Sequence, residues 1–156
     1  MGSGKTTTGK ALAEISGFSF VDTDALIEES EKASIPEIFS ERGEEYFRKA
    51  ESEAIFSLSR AKNTVIAVGG GAVLRRRNVE SLKKHSVLVF LDAPPEKILL
   101  NLASDQGRPL INGKSDEEII RLYENRRPVY LETADIVLDA SGMDTDEIVS
   151  KILAKL

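Results

Sequence analysis

The chain has 156 residues, 41% of them hydrophobic, which suits one globular domain with a real core. Its 21 Lys and Arg against 26 Asp and Glu leave a net charge of −5, which argues against a general nucleic-acid binder with a basic face. With no cysteine it forms neither disulfides nor a Cys-ligated metal site, and no apolar run approaches the ~18 residues of a membrane span.

The first residues, Gly2-Ser3-Gly4-Lys5-Thr6-Thr7, carry the close of the phosphate-binding pattern G-x-x-x-x-G-K-[ST]. Small residues let backbone N–H groups turn inward around phosphates, and the helix that follows aims its positive end at them. Lys5 is expected to reach the β- and γ-phosphates, and the Thr6 hydroxyl to hold Mg²⁺. The opening glycine of the pattern would lie before Met1, as would the buried strand that normally leads into such a loop. A sequence truncated at its start is therefore expected.

A helix over 6–16 should place Leu12 and Ile15 inward and stop at Gly17. A strand over 18–21 ends in Asp22-Thr23-Asp24, and a helix covers about 25–31. Ser34 and Glu37 form a capping box for a short helix that stops at Gly43, followed by a longer one over about 44–60. Phe47, Ala50, Ala54 and Leu58 recur there at helical spacing. Thr64–Val68 is an apolar β-branched run, as buried parallel strands are, and ends in Gly69-Gly70-Gly71. A helix over 78–84, a buried strand over 87–91 closing at Asp92, and a helix from Pro94-Pro95 to about 103 come next. Residues 104–114 are polar and should form a mobile loop. Ser115 and Glu118 form a second capping box, for a helix that Pro128 should kink or end. A last strand covers 136–138, and Asp144 caps a final helix with Ile148, Ile152 and Leu156 on its buried stripe.

Strands alternating with helices predict an α/β fold with a parallel sheet covered on both faces, ligands binding beyond the carboxyl ends of the strands. That rule selects the phosphate loop, Asp22-Thr23-Asp24, Gly69-Gly70-Gly71 and the turn after Asp92. Asp22 and Asp24 can serve Mg²⁺ and take a proton from an acceptor hydroxyl, or close a turn and cap a helix. Three successive glycines suit a ligand held close to the main chain. Arg108, in the polar loop, can fold over phosphates. Arg75-Arg76-Arg77 reads as a solvated face, His85 as a surface residue, and Tyr46, Tyr123 and Tyr130 as packing residues.

The segments GSGKTT, FVDTD, SIPEIF with GEEYFR, VGGGAV, LDAPPE, GRPLI and RRPVY occur in the order and at the spacing of one family. Over nearly its whole length the chain resembles shikimate kinase. The resemblance implies a single P-loop kinase domain over 1–156, three-layered α/β/α, with strand order 2-3-1-4-5 and strand 1 missing. It implies substrate-binding helices at about 24–60 and a mobile lid at about 104–116. The implied reaction moves the ATP γ-phosphoryl group to the 3-hydroxyl of shikimate, in chorismate and aromatic amino acid biosynthesis. Gly2, Ser3, Gly4, Lys5, Thr6, Thr7 and Arg108 would hold ATP. Thr6 and Asp22 would serve Mg²⁺, and Lys5, Asp24 and Arg108 catalysis. Asp24, Arg48, Gly69, Gly70, Gly71 and Arg126 would bind shikimate. Arg126 is preferred to Arg127 because the family's arginine lies two before the proline. Asn101 departs from relatives that carry an adenine-stacking arginine nearby. A cytoplasmic monomer with no nucleic-acid or membrane partner is expected. The competing readings are a kinase for another small hydroxy acid such as gluconate, and a non-catalytic nucleotide-binding module.

Overall fold

The computed structural model describes residues 2–103 and 113–156. Its elements alternate as expected: α1 (Lys5–Ser16), β1 (Ser19–Asp22), α2 (Thr23–Glu31), α3 (Ile35–Leu58), β2 (Thr64–Ala67), α4 (Arg76–Lys83), β3 (Val89–Asp92), α5 (Pro95–Ala103), α6 (Asp116–Thr133), β4 (Ile136–Asp139) and α7 (Thr145–Leu153). A 3₁₀ turn, Ala72–Leu74, follows the three glycines.

Local chemistry sets the boundaries. Gly17, at φ 66°, ends α1 and returns its N–H to the Ala13 and Glu14 carbonyls. Capping boxes at Ser34/Glu37, Ser115/Glu118 and Asp144/Glu147 start α3, α6 and α7. Gly43, at φ 81° and ψ 170°, ends the first helical run of α3 as expected, and a second run follows it after a kink. Pro128 neither ends α6 nor prevents it from reaching Thr133.

All pairings are parallel. β1 lies beside β2, Ser19 opposite Thr64, and β3 beside β4, Val89 opposite Ile136. The two pairs are not hydrogen-bonded to each other, so the sheet is split into β1-β2 and β3-β4. This is the order 2-3-1-4-5 without its middle member. A cleft of about 1060 Å³ lies at the split, walled by residues 64–68 on one side and 87–91 on the other.

The split explains why the strands are less buried than their composition predicts. Thr64, Val65 and Ile66 are only half-buried, as are Val89 and Phe90, and Val87 is 51% exposed. Strands in a closed parallel sheet would be covered on both sides. Two further expectations fail. Ile15 is 60% exposed, because the buried face of α1 is centred on Thr8, Gly9, Leu12 and Ala13 and Ile15 falls on its rim. Leu156 is 66% exposed because it lies beyond the end of α7.

Separate apolar clusters hold the halves. Ile27, Ile38, Phe47, Ala50 and Ala54 lock α2 onto α3. Leu12, Leu91, Leu138, Ile148 and Ile152 bind α1 and α7 to the β3-β4 pair. Ile98, Ile119, Tyr123 and Tyr130 join α5 to α6. Among the described residues no helix is long and apolar enough to cross a membrane.

Candidate active site

The phosphate loop is short and glycine-dependent. Gly2 and Gly4 both take left-handed backbone, with φ of 57° and 81°. A Cβ on Gly2 would meet the Ile98 carbonyl at 2.8 Å, so the loop runs tight against α5. Asn101 ties it there, donating from Nδ2 to the Gly2 carbonyl across 2.5 Å. This gives Asn101 a role in holding the loop. Gly4 is the N-cap of α1 and offers no side-chain cap, so the first N–H groups of the helix are not claimed by a capping side chain.

β1 delivers its aspartates beside this loop. The Thr6 hydroxyl donates to Asp22 Oδ2 at 3.0 Å. The other oxygen of Asp22 accepts from the Asp24 N–H at 3.0 Å and so caps α2. The sequence pointed to Asp24 as the cap of this helix, but the cap is Asp22, because α2 already begins at Thr23. Because Thr23 already begins α2, the two aspartates do not continue as an extended pair. The Thr23 side chain turns inward, fully buried, with its hydroxyl 3.3 Å from the Ala67 carbonyl. Asp24 is directed toward the end of β2.

There the three glycines meet α3. A Cβ on Gly69 would lie 2.8 Å from Glu51 Oε1 and 3.1 Å from Asp24 Oδ1. A Cβ on Gly71 would lie 2.3 Å from Arg48 Nη1. These glycines are small because Asp24, Glu51 and Arg48 occupy the space a side chain would need. Gly70 contributes its carbonyl, which accepts from the Tyr130 hydroxyl at 2.7 Å.

Arg48 is buried, 8% exposed, and held by two carboxylates. Glu51 Oε2 accepts from Nη1 at 2.9 Å, and Glu44 Oε1 lies 3.2 Å from Nη2. Glu51 is fully buried, and its Oε1 has no hydrogen-bond partner. Burial pushes its carboxyl above the usual range, and Arg48 only partly offsets this. Sequence reasoning missed Glu51. The signal was present: it sits four after Phe47 and three before Ala54, on the buried stripe of the helix.

α6 supplies the remaining cation. Arg127 forks onto Asp92 at the end of β3, with Nη2 at 2.6 Å from Oδ2. Tyr123 donates its hydroxyl to the same carboxylate. Burial raises the Asp92 pKa, but the hydrogen bonds from Arg127 and Tyr123 outweigh it and hold the group below the usual range. Arg126 lies instead beside Tyr130, where it works against the upward push of burial on that phenol. The turn after Asp92 thus anchors a helix. Tyr123 and Tyr130 pack as expected and also donate hydrogen bonds; Tyr46 departs from that expectation, being 37% exposed with its hydroxyl donating to Glu31 and Arg42 over its ring.

Lys5 lines the cleft with Ser3 at the loop end. His85, Arg76 and Arg77 are exposed, as expected, and Arg75 pairs with Glu45. Arg108 and residues 104–112 of the expected lid lie outside the described residues. Among the described residues no group of three His, Asp or Glu could hold a metal alone. Thr6 and Asp22 nonetheless fit Mg²⁺, which takes few protein oxygens and fills its shell with phosphates and water.

Comparison with known proteins identifies the family. A profile of shikimate kinases matches residues 1–156. A shikimate kinase of Caldanaerobacter subterraneus subsp. tengcongensis is 44% identical over 154 residues, 98% of this chain and 90% of the relative. The shikimate kinase of Acinetobacter baumannii, solved in complex with shikimate, superposes with a TM-score of 0.94 at 37% identity, over 99% of this chain and 87% of that one. The Aquifex aeolicus shikimate kinase gives a TM-score of 0.84 at 37% identity, over 99% and 90%. With this sequence likeness along its whole length, the chain belongs to the shikimate kinase family.

Proposed function

We propose that the protein transfers the γ-phosphoryl group of ATP to the 3-hydroxyl of shikimate, giving shikimate 3-phosphate and ADP for aromatic biosynthesis. The observation that carries this reading is the packing of Arg48, Glu51 and Asp24 against the Gly69-Gly70-Gly71 turn. A cation and a carboxylate there suit a small molecule with one carboxylate and several hydroxyls.

The backbone N–H groups of residues 2–7 and the Lys5 ammonium hold the ATP phosphates. Thr6 and Asp22 hold Mg²⁺, which when bound neutralises charge on the phosphates. Arg48 and Arg126 grip the shikimate carboxylate, and Glu51 fixes the Arg48 fork. Asp24 binds the acceptor hydroxyl and takes its proton as oxygen attacks phosphorus and ADP leaves. Gly69, Gly70 and Gly71 let the ring approach the main chain, and Arg108 adds charge on the ATP side. The protein works as a monomer in the cytoplasm.

ADP release coupled to ATP, Mg²⁺ and shikimate tests the reading. Turnover that needs shikimate and not gluconate is expected. A folded protein that turns over neither would overturn it.

A further inference from the structure

The two carboxylates on Arg48 are of unequal standing. Glu51 Oε2 holds Nη1 at 2.9 Å, and Glu51 is fully buried. Gly71 closes on the same end of the guanidinium, since a Cβ there would fall within 2.6 Å of Nη1, Cζ and Nη2. The Nε–Nη2 edge has a different partner. One oxygen of Glu44, Oε1, accepts from both donors, at 3.3 and 3.2 Å, and the Glu44 side chain is 54% exposed. Glu44 follows directly on the kink at Gly43 and lies one helical turn before Arg48.

The Nε–Nη2 edge offers two parallel N–H donors in one plane, the pair that matches both oxygens of a carboxylate. A ligand carboxylate that enters from solvent therefore meets Glu44 on the donors it needs. Three carboxylates around one guanidinium leave an excess of negative charge, so one of them has to leave. Glu51 cannot, because it is enclosed. Glu44 can, because its side chain already stands half in water. Its longer contacts, through a single oxygen, mark it as the weaker of the two ion pairs.

We infer that Glu44 is a displaceable stand-in for the substrate carboxylate, and that it sets how strongly the site selects among anions. The inference rests on the reading that Arg48 takes the carboxylate of shikimate. In the empty site Glu44 holds the guanidinium in the position the substrate needs. It also covers the fork against other anions. Every carboxylate has to displace it, and each has its affinity lowered by the same factor. The loss weighs most on an anion held by the fork alone. A ligand that also reaches Asp24 and the glycine turn binds in spite of it.

The test measures shikimate binding to the full chain by titration calorimetry. Glu44→Gln keeps the length of the side chain and removes its charge. It should tighten shikimate binding by about two- to five-fold, the worth of one partly exposed ion pair, with ATP affinity unchanged. Damage to the site would weaken binding, so the direction of the change separates displacement from a structural role. Glu45→Gln makes the same charge change one residue away, on a side chain paired with Arg75, and should leave shikimate affinity unchanged. Weaker or unchanged shikimate binding by Glu44→Gln would overturn the proposal. So would an equal gain in Glu45→Gln, which would reduce the effect to the general field of α3. Arg48→Lys separates this result from the reading beneath it. A loss of shikimate binding there keeps Arg48 on the carboxylate whatever Glu44 does, and no loss overturns both.

Discussion

Arg127 and Asp92 form a fork, the guanidinium Nε at 3.2 and 3.1 Å from the two carboxylate oxygens and Nη2 at 2.6 Å from Oδ2. With Arg127 engaged there, Arg126 is the arginine proposed for the shikimate carboxylate. Arg126 lies beside Tyr130, whose hydroxyl donates to the Gly70 carbonyl. Arg126→Lys should weaken shikimate binding by about ten-fold or more, since an ammonium cannot reproduce the planar fork. Arg127→Lys should leave shikimate affinity within a few-fold and lower the melting temperature. Titration calorimetry and thermal melts on both variants separate the two. Equal losses of affinity would put both arginines on the substrate.

The Gly71 position is a steric test of Arg48. Its φ of −91° is open to any residue, so replacement carries no backbone strain. The added methyl of Gly71→Ala would nevertheless lie 2.3 Å from Arg48 Nη1. The guanidinium must move, and shikimate affinity should fall by about ten- to a hundred-fold. In a double-mutant cycle with Arg48→Ala the second change should add little, since both remove one contact. Additive losses would mean that Gly71 acts through its own backbone.

Much of this site was legible in the sequence, for physical reasons. The phosphate loop, Asp22, Asp24 and the glycines are short-range signals whose chemistry depends on neighbours in the chain. The alternation of strands and helices was legible from period and composition. Contacts made across elements were not. Nothing in Asp92 announces that Tyr123 and Arg127, more than 30 positions later, will converge on it. Glu51 was missed although it falls on the buried stripe of α3, because its ion pair with Arg48 shows only in the fold. Strand burial was overstated because composition reports what a strand is built to touch, and the split sheet leaves that side open.

Glu51 gives a pH dependence with a definite sign. Its folded pKa is raised above the model-peptide value of 4.5, mainly by burial. The folded state therefore binds its proton more tightly than the unfolded state. The corresponding stability is fully present below pH 4.5 and is lost as the pH rises through the folded pKa. Glu51→Gln removes this component. The difference in melting temperature between the wild type and Glu51→Gln should move in favour of the variant as the pH is raised from about 4.5 upward, then level off. Taking the difference cancels the carboxylates that Arg127 and Lys83 hold low, Asp92 and Asp135, whose stability is lost on the acid side. A flat difference would show that Arg48 fully compensates the buried charge.

The hydrogen bond from Thr6 to Asp22 Oδ2 predicts how Mg²⁺ and ATP depend on each other. Both groups are oxygen donors at the mouth of the phosphate loop, and the Asp22 carboxylate also caps α2 through the Asp24 N–H. Thr6→Val deletes one oxygen and leaves the cap in place. Asp22→Asn keeps an oxygen acceptor for the cap but removes the charge. Both should raise the Mg²⁺ concentration needed for half-maximal ATP binding, by about ten-fold or more, with little change in nucleotide affinity when the metal is absent. Asp22→Ala should add a stability loss of about 1 kcal/mol from the missing cap, which Asp22→Asn spares. Fluorescent-nucleotide titrations across a Mg²⁺ series, with thermal melts of each variant, check both effects. An unchanged Mg²⁺ midpoint in Asp22→Asn would confine Asp22 to capping and leave Thr6 as the metal's protein ligand.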